Sequence, residues 1–207
     1  MAQKRREKCA PFTKITSAVL HAAEESTNRI APFIEGHGRE QREALVFAEF
    51  LFFFVQLCDR MAFSILQAEQ VGKLREIILP DVFGITVASH FLHAPSEQKK
   101  EVRSALYRGA KEAAIEYDSC TEWLSMEEPY TVDSLLSKLS RRVMRAIGGE
   151  VDAKPMIEVV KASTDALDHS NLPVLVEAIK PVIDDFEIIP YEPWDDPDYV
   201  RRLRRSL

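Results

Sequence analysis

The amino-acid sequence predicts an all-α protein, a single-domain helical bundle of roughly seven helices. Three observations lead there. Apolar residues recur with a period near 3.6 in every long segment. No run of strand length alternates with period two; residues 187–191 (Glu-Ile-Ile-Pro-Tyr) have strand-like composition, but Pro190 removes a ladder donor. Glycine and proline punctuate the boundaries between periodic segments.

The elements follow in chain order. Ile15, Val19, Ala22, Ser26 and Ile30 lie on one helical face, and Gly36 and Gly38 then interrupt the chain around His37. Residues 39–67 read as one long, central hydrophobic helix. Val71, Leu74, Ile77 and Ile78 carry the period on to Pro80, whose ring removes a hydrogen bond and crowds the preceding turn. The expectation there is a kink or a fresh start, with residues 81–92 as a short helix. Ala94 and Pro95 stop it, and Ser96 is a good N-cap. Val102, Leu106, Ala110, Ala113, Tyr117, Cys120 and Leu124 form the clearest apolar seam in the chain. Thr131 is placed to cap a helix carrying Val132, Leu136, Leu139, Val143 and Ile147, which Gly148 and Gly149 end. Residues 155–169 and 172–186 complete the set, with Pro155 and Pro173 tolerated in first turns. Phe53, Leu57, Phe63, Leu106, Ala113, Tyr117, Leu136 and Val143 are expected in the core. The domain layout is a basic N-terminal tail (1–12), the bundle (13–186) and an extended C-terminal strap (187–207).

Composition narrows the function classes. The chain has 207 residues, 46% hydrophobic and 29% charged, the balance of a folded globular protein. Its net charge of −6 argues against a nucleic-acid partner, whose footprint is basic. Cys9, Cys58 and Cys120 are too far apart for a dithiol or zinc-ribbon motif, and a reducing, cytoplasmic setting is the simplest expectation. No signal-peptide-like run follows the basic start. Residues 44–66 are long enough to span a membrane, yet Glu49, Gln56, Asp59 and Arg60 interrupt them, so a buried helix and no membrane span are expected. Gly-x-Ser-x-Gly, Walker A and Gly-x-Gly-x-x-Gly patterns are absent from the sequence.

The candidate site residues come from that same helix. Glu49, Gln56 and Arg60 fall close together in projection, with Arg42 and Gln67 on the same line and Asp59 to one side. Such a set is a solvent-facing strip, a buried polar network or a ligand site, and spacing alone leaves all three open. If Glu49 and Arg60 are buried, each needs a partner from another helix: His90 or His93 for Glu49, an acid for Arg60. His90 and His93, three apart, are also the weak candidate metal ligands. His21 with Glu24 and Glu25, and Asp165 with His169, have comparable spacings. No cofactor is expected, and a metal ion is left open.

The C-terminal stretch is distinct from the body. Residues 184–198 hold seven acids and no base, with Tyr191, Trp194 and Tyr199 set among Pro190, Pro193 and Pro197. Those rings are the candidate partner contacts, docked on the chain itself or exchanged with a second subunit. The basic residues Lys4, Arg5 and Arg6 are available to meet the acids. Function is not written in any motif. The sequence supports a non-enzymatic interaction or regulatory protein, self-association included. The alternative is a small-molecule or metal-dependent enzyme, or an apolar-ligand binder lined by Phe50, Phe52, Phe53 and Phe54, that uses the polar strip.

Overall fold

The computed structural model describes residues 2–120, 122, 134–148 and 153–185. Seven α-helices are present among them: α1 (Ala2–Ile30), α2 (Arg39–Ile65), α3 (Ala68–His90), α4 (Ser96–Asp118), α5 (Leu135–Ile147), α6 (Ala153–Ser170) and α7 (Leu172–Ile179). The only extended pairing among the described residues is a parallel bridge between Glu122 and Ser134. The protein is all-α. No helix among the described residues is long and apolar enough to cross a membrane. The strap residues 187–207, with Tyr191, Trp194 and Tyr199, lie outside the described residues, as do Leu124, Thr131 and Val132.

The chain divides into two compact units. The first draws on the stretches Met1–His21, Leu57–Tyr107 and Asn171–Leu207. Its main element is α3, whose residues 82–88 are all buried. α3 runs through Pro80 without ending, so the fresh start and the separate short helix expected from residue 81 are not found. Proline removes one helical hydrogen bond, but a helix buried on every side over residues 82–88 is continued by tertiary packing. The start of α3 also differs from expectation. Gln67 does not end the preceding helix; it caps α3, accepting from the third residue of the helix while its own N–H donates to Gln70 Oε1 at 3.1 Å. Phe83 and Tyr107 meet edge to face at 4.9 Å. Leu172, Val176, Ile179 and Ile183 give α7 and the turn after it one buried face.

The second unit comprises Ala22–Gln56 and Arg108–Ser170. Residues 50–56 of α2 are buried around the full helical circumference. Phe53 makes edge contacts with Phe54 at 5.2 Å and with Tyr117 of α4 at 6.1 Å. α5 packs on α6. Its N-cap is Ser134, accepting from Ser137 N–H at 3.1 Å, rather than the expected Thr131, so the helix starts later than the apolar period suggests. Gly148, at φ +76°, closes α5 as the glycine rule requires. α1 is tied to α6 by Ser26 Oγ donating to the Ala162 carbonyl at 3.3 Å and by an Arg29–Asp165 ion pair.

Seven of the eight expected core residues are buried. Phe63 is the exception, 52% exposed, because it faces outward from the last turns of α2 with the Arg75 guanidinium 5.3 Å above its ring. A cation over an aromatic face makes an exposed ring tolerable.

One close approach in the second unit is directly testable. A Cβ at Gly109 would stand 2.7 Å from the buried Phe52 ring. Gly109→Ala gains about 1 kcal/mol of helix propensity, against about 1–3 kcal/mol typical of overpacking. A net loss of stability is expected in urea unfolding; a net gain would show that the Phe52 ring yields without cost.

Candidate functional site

Arg42, Glu49 and Gln56 are spaced by seven residues, which places them on one stripe of α2 about 10 Å apart. All three belong to the second unit, and each grips a different neighbour. Arg42 donates through Nη1 to the Glu35 carbonyl at 2.6 Å. Its guanidinium also lies against the end of α5, 3.8 Å from where a Cβ on Gly148 would stand, facing the negative pole of that helix. Glu49 takes Arg142 of α5, and Gln56 Nε2 donates to Asp118 Oδ1 of α4 at 2.8 Å.

The Arg142 cluster is the centre of the stripe. Nε donates to Glu49 Oε2 at 2.5 Å and Nη2 to Glu49 Oε1 at 3.2 Å, a forked pair. Nη1 donates to Glu116 Oε2 at 2.8 Å. The guanidinium carbon sits 6.0 Å from the centre of the fully buried Tyr117 ring. Side-chain exposure is 11% for Arg142, 18% for Glu49 and 28% for Glu116, so the cluster grades from core to solvent. Nearby, Lys138 donates to the Glu116 carbonyl at 3.0 Å and pairs with Ser119 Oγ. Three helices are thereby joined through one arginine.

The electrostatics follow from counting charges. Burial disfavours the Arg142 cation, but hydrogen bonds and charge from two carboxylates outweigh it, so its pKa rises and it stays charged. Glu49 has its own burial, with the Glu116 carboxylate adding to it, against the hydrogen bonds and charge of Arg142 and the charge of Arg145. Burial wins, and its carboxyl lies above the ordinary 4.5. Burial, with the Glu49 carboxylate adding to it, pushes the Tyr117 phenol well above 10. Because the folded chain holds the Glu49 proton more tightly than the unfolded chain, this group contributes stability that is fully present below pH 4.5 and lost as pH rises through the raised folded value. Wild type should therefore hold its greatest advantage over Glu49→Gln in acid, narrowing towards neutrality. Urea unfolding of both proteins across that range checks the sign; an advantage that grows with pH would mean that Arg142 holds Glu49 below its ordinary value.

The remaining candidates are placed differently. Asp59 is buried in the first unit, where it accepts from Arg75 Nε at 2.7 Å; Arg60, in the same unit, is half-buried. The four candidates on α2 are thus shared between the two units. Glu49 finds an arginine rather than the histidine expected from sequence: His90 and His93 are exposed at the end of α3 and beyond it. Among the described residues no group of three or more His, Cys, Asp or Glu side chains could hold a metal ion. His169 Nδ1 does meet Glu25 Oε1 at 3.2 Å on the surface of the second unit. Burial pushes the Cys58 thiol far up, with Asp59 adding to it, which leaves it a poor nucleophile.

Sequence reasoning missed Arg142, Glu116 and Asp118. One signal for Arg142 was present: with Leu135 and Leu139 it completes the i, i+4, i+7 pattern of a buried face. A cation in such a register needs an acid from a facing helix. No protein-family model, characterised protein or solved structure matches this chain.

Proposed function

We propose that this chain is a non-catalytic, self-associating helical protein, which acts through its folded surface. The observation that carries the reading is the commitment of Arg142: Nε and both Nη nitrogens donate to carboxylates of two other helices. A guanidinium used in this way organises helices rather than a substrate. Exposed apolar side chains support the surface role, foremost Ile115 of α4, 66% exposed between Lys111, Glu112 and Ser119. A second copy of the chain is the partner proposed, since two-fold homodimers are the commonest assemblies.

A rival reading places a small-molecule or metal-dependent activity at the cluster. One observation favours it: a carboxyl raised by burial is a property of general acids. Light scattering over a concentration series separates the two. Self-association predicts a mass that rises with concentration and falls back in Ile115→Glu. A monomer at every concentration, together with a divalent-metal thermal shift abolished by Glu49→Gln, would favour the rival; a ligand at a hundred times its Kd adds about 2.7 kcal/mol of stability.

A further inference from the structure

The described part of the C-terminus stops at a well-defined place in the first unit. Ile183 is buried, and the next residue is anchored on α3: the Asp184 carboxylate accepts from Gln70 Nε2 at 3.0 Å through either oxygen. The Asp184 carbonyl accepts from Lys73 Nζ at 2.8 Å. The described chain therefore ends beside the first turns of α3, next to Lys73.

The same helix carries an aromatic shelf. Arg75 lies over the half-exposed ring of Phe63 and is held there by its 2.7 Å bond to Asp59. The guanidinium is thus held in place on a side chain that is 41% exposed. A planar cation fixed beside an exposed ring is a surface on which a second ring stacks and a carboxylate pairs.

We propose that the C-terminal segment of the same molecule occupies this shelf, with Trp194 or Tyr191 against Phe63 and Arg75 and its acids near Lys73 and Arg75. Length permits it. Trp194 lies ten residues beyond Asp184, a reach of up to about 35 Å, and a helix with its side chains is only about 10–12 Å across. Chemistry favours it. Between residues 186 and 198 the segment holds five acids, no base and three rings set among three prolines. Glu69 and Glu76 on the exposed side of α3 repel those acids, so the rings carry the contact and the acids seek the two cations. Gly72, exposed and with nothing near its missing side chain, leaves a low crossing point between Lys73 and Arg75.

The test uses the full chain carrying Trp123→Phe, so that Trp194 is the sole tryptophan. Docking predicts a blue-shifted Trp194 emission, weakly quenched by acrylamide and unchanged on dilution. Adding Phe63→Ser should shift the emission to that of hydrated indole and raise quenching several-fold, while circular dichroism stays the same. Adding Ile115→Ser instead, an exposed site in the second unit, should leave the emission unmoved. Emission of hydrated indole before any change at Phe63, or protection that survives Phe63→Ser, would overturn the proposal. Protection that disappears on dilution would also overturn it, because the occupant would then come from a second copy.

Discussion

Arg142→Met should destabilise the protein by about 3 kcal/mol, the cost of removing one partner from a buried ionic group. The physical reason is what remains. Glu49 and Glu116 lose their shared cation and face each other across the space it filled, each partly shielded from water. Glu49 responds by taking up a proton at higher pH, so the loss is expected to be larger at neutral pH than in acid. Arg142→Lys is expected to rescue only part of it, because an ammonium cannot fork to one carboxylate while bonding a second in the same plane. Urea unfolding of the three proteins measures this. A loss below about 0.5 kcal/mol would put Arg142 among ordinary surface residues.

Tyr117→Ala should cost a similar or larger amount, about 3–5 kcal/mol, as for other large buried aromatics. Tyr117 is fully buried, lies edge-on to Phe53 and supports the Arg142 guanidinium. Its removal opens a cavity between α2 and α4 and takes away the face beneath the arginine. The two substitutions touch one network, so their costs should not add. Thermal or urea unfolding of Tyr117→Ala, Arg142→Met and the pair gives the comparison; strict additivity would separate the ring from the ion pair.

Much of the fold was legible because it depends on local pattern. The seam through Leu106, Ala113 and Tyr117 and the closing glycine at Gly148 are visible in sequence, since one period and one backbone preference decide them. Pro80 was misleading because proline's penalty is local and fixed, whereas the burial of residues 82–88 depends on what packs around them. Phe63 follows the apolar period yet lies outside the core, and the cation over its ring comes from Arg75, on the next helix. The candidate site was half legible. Glu49 and Gln56 stand out as polar residues in an aromatic helix, but their partners lie far along the chain. Nothing in the spacing of α2 identifies Arg142 or Asp118, because partner choice is set by how helices meet.

The structural role of the α2 stripe is tested most directly by a double-mutant cycle on Glu49→Gln and Arg142→Met, followed by urea unfolding at neutral pH. A pair that joins α2 to α5 predicts a coupling of about 1–3 kcal/mol, with the double variant more stable than the sum of the single losses allows. Additive losses within about 0.5 kcal/mol would contradict it, showing that the two side chains lie close together without holding the helices.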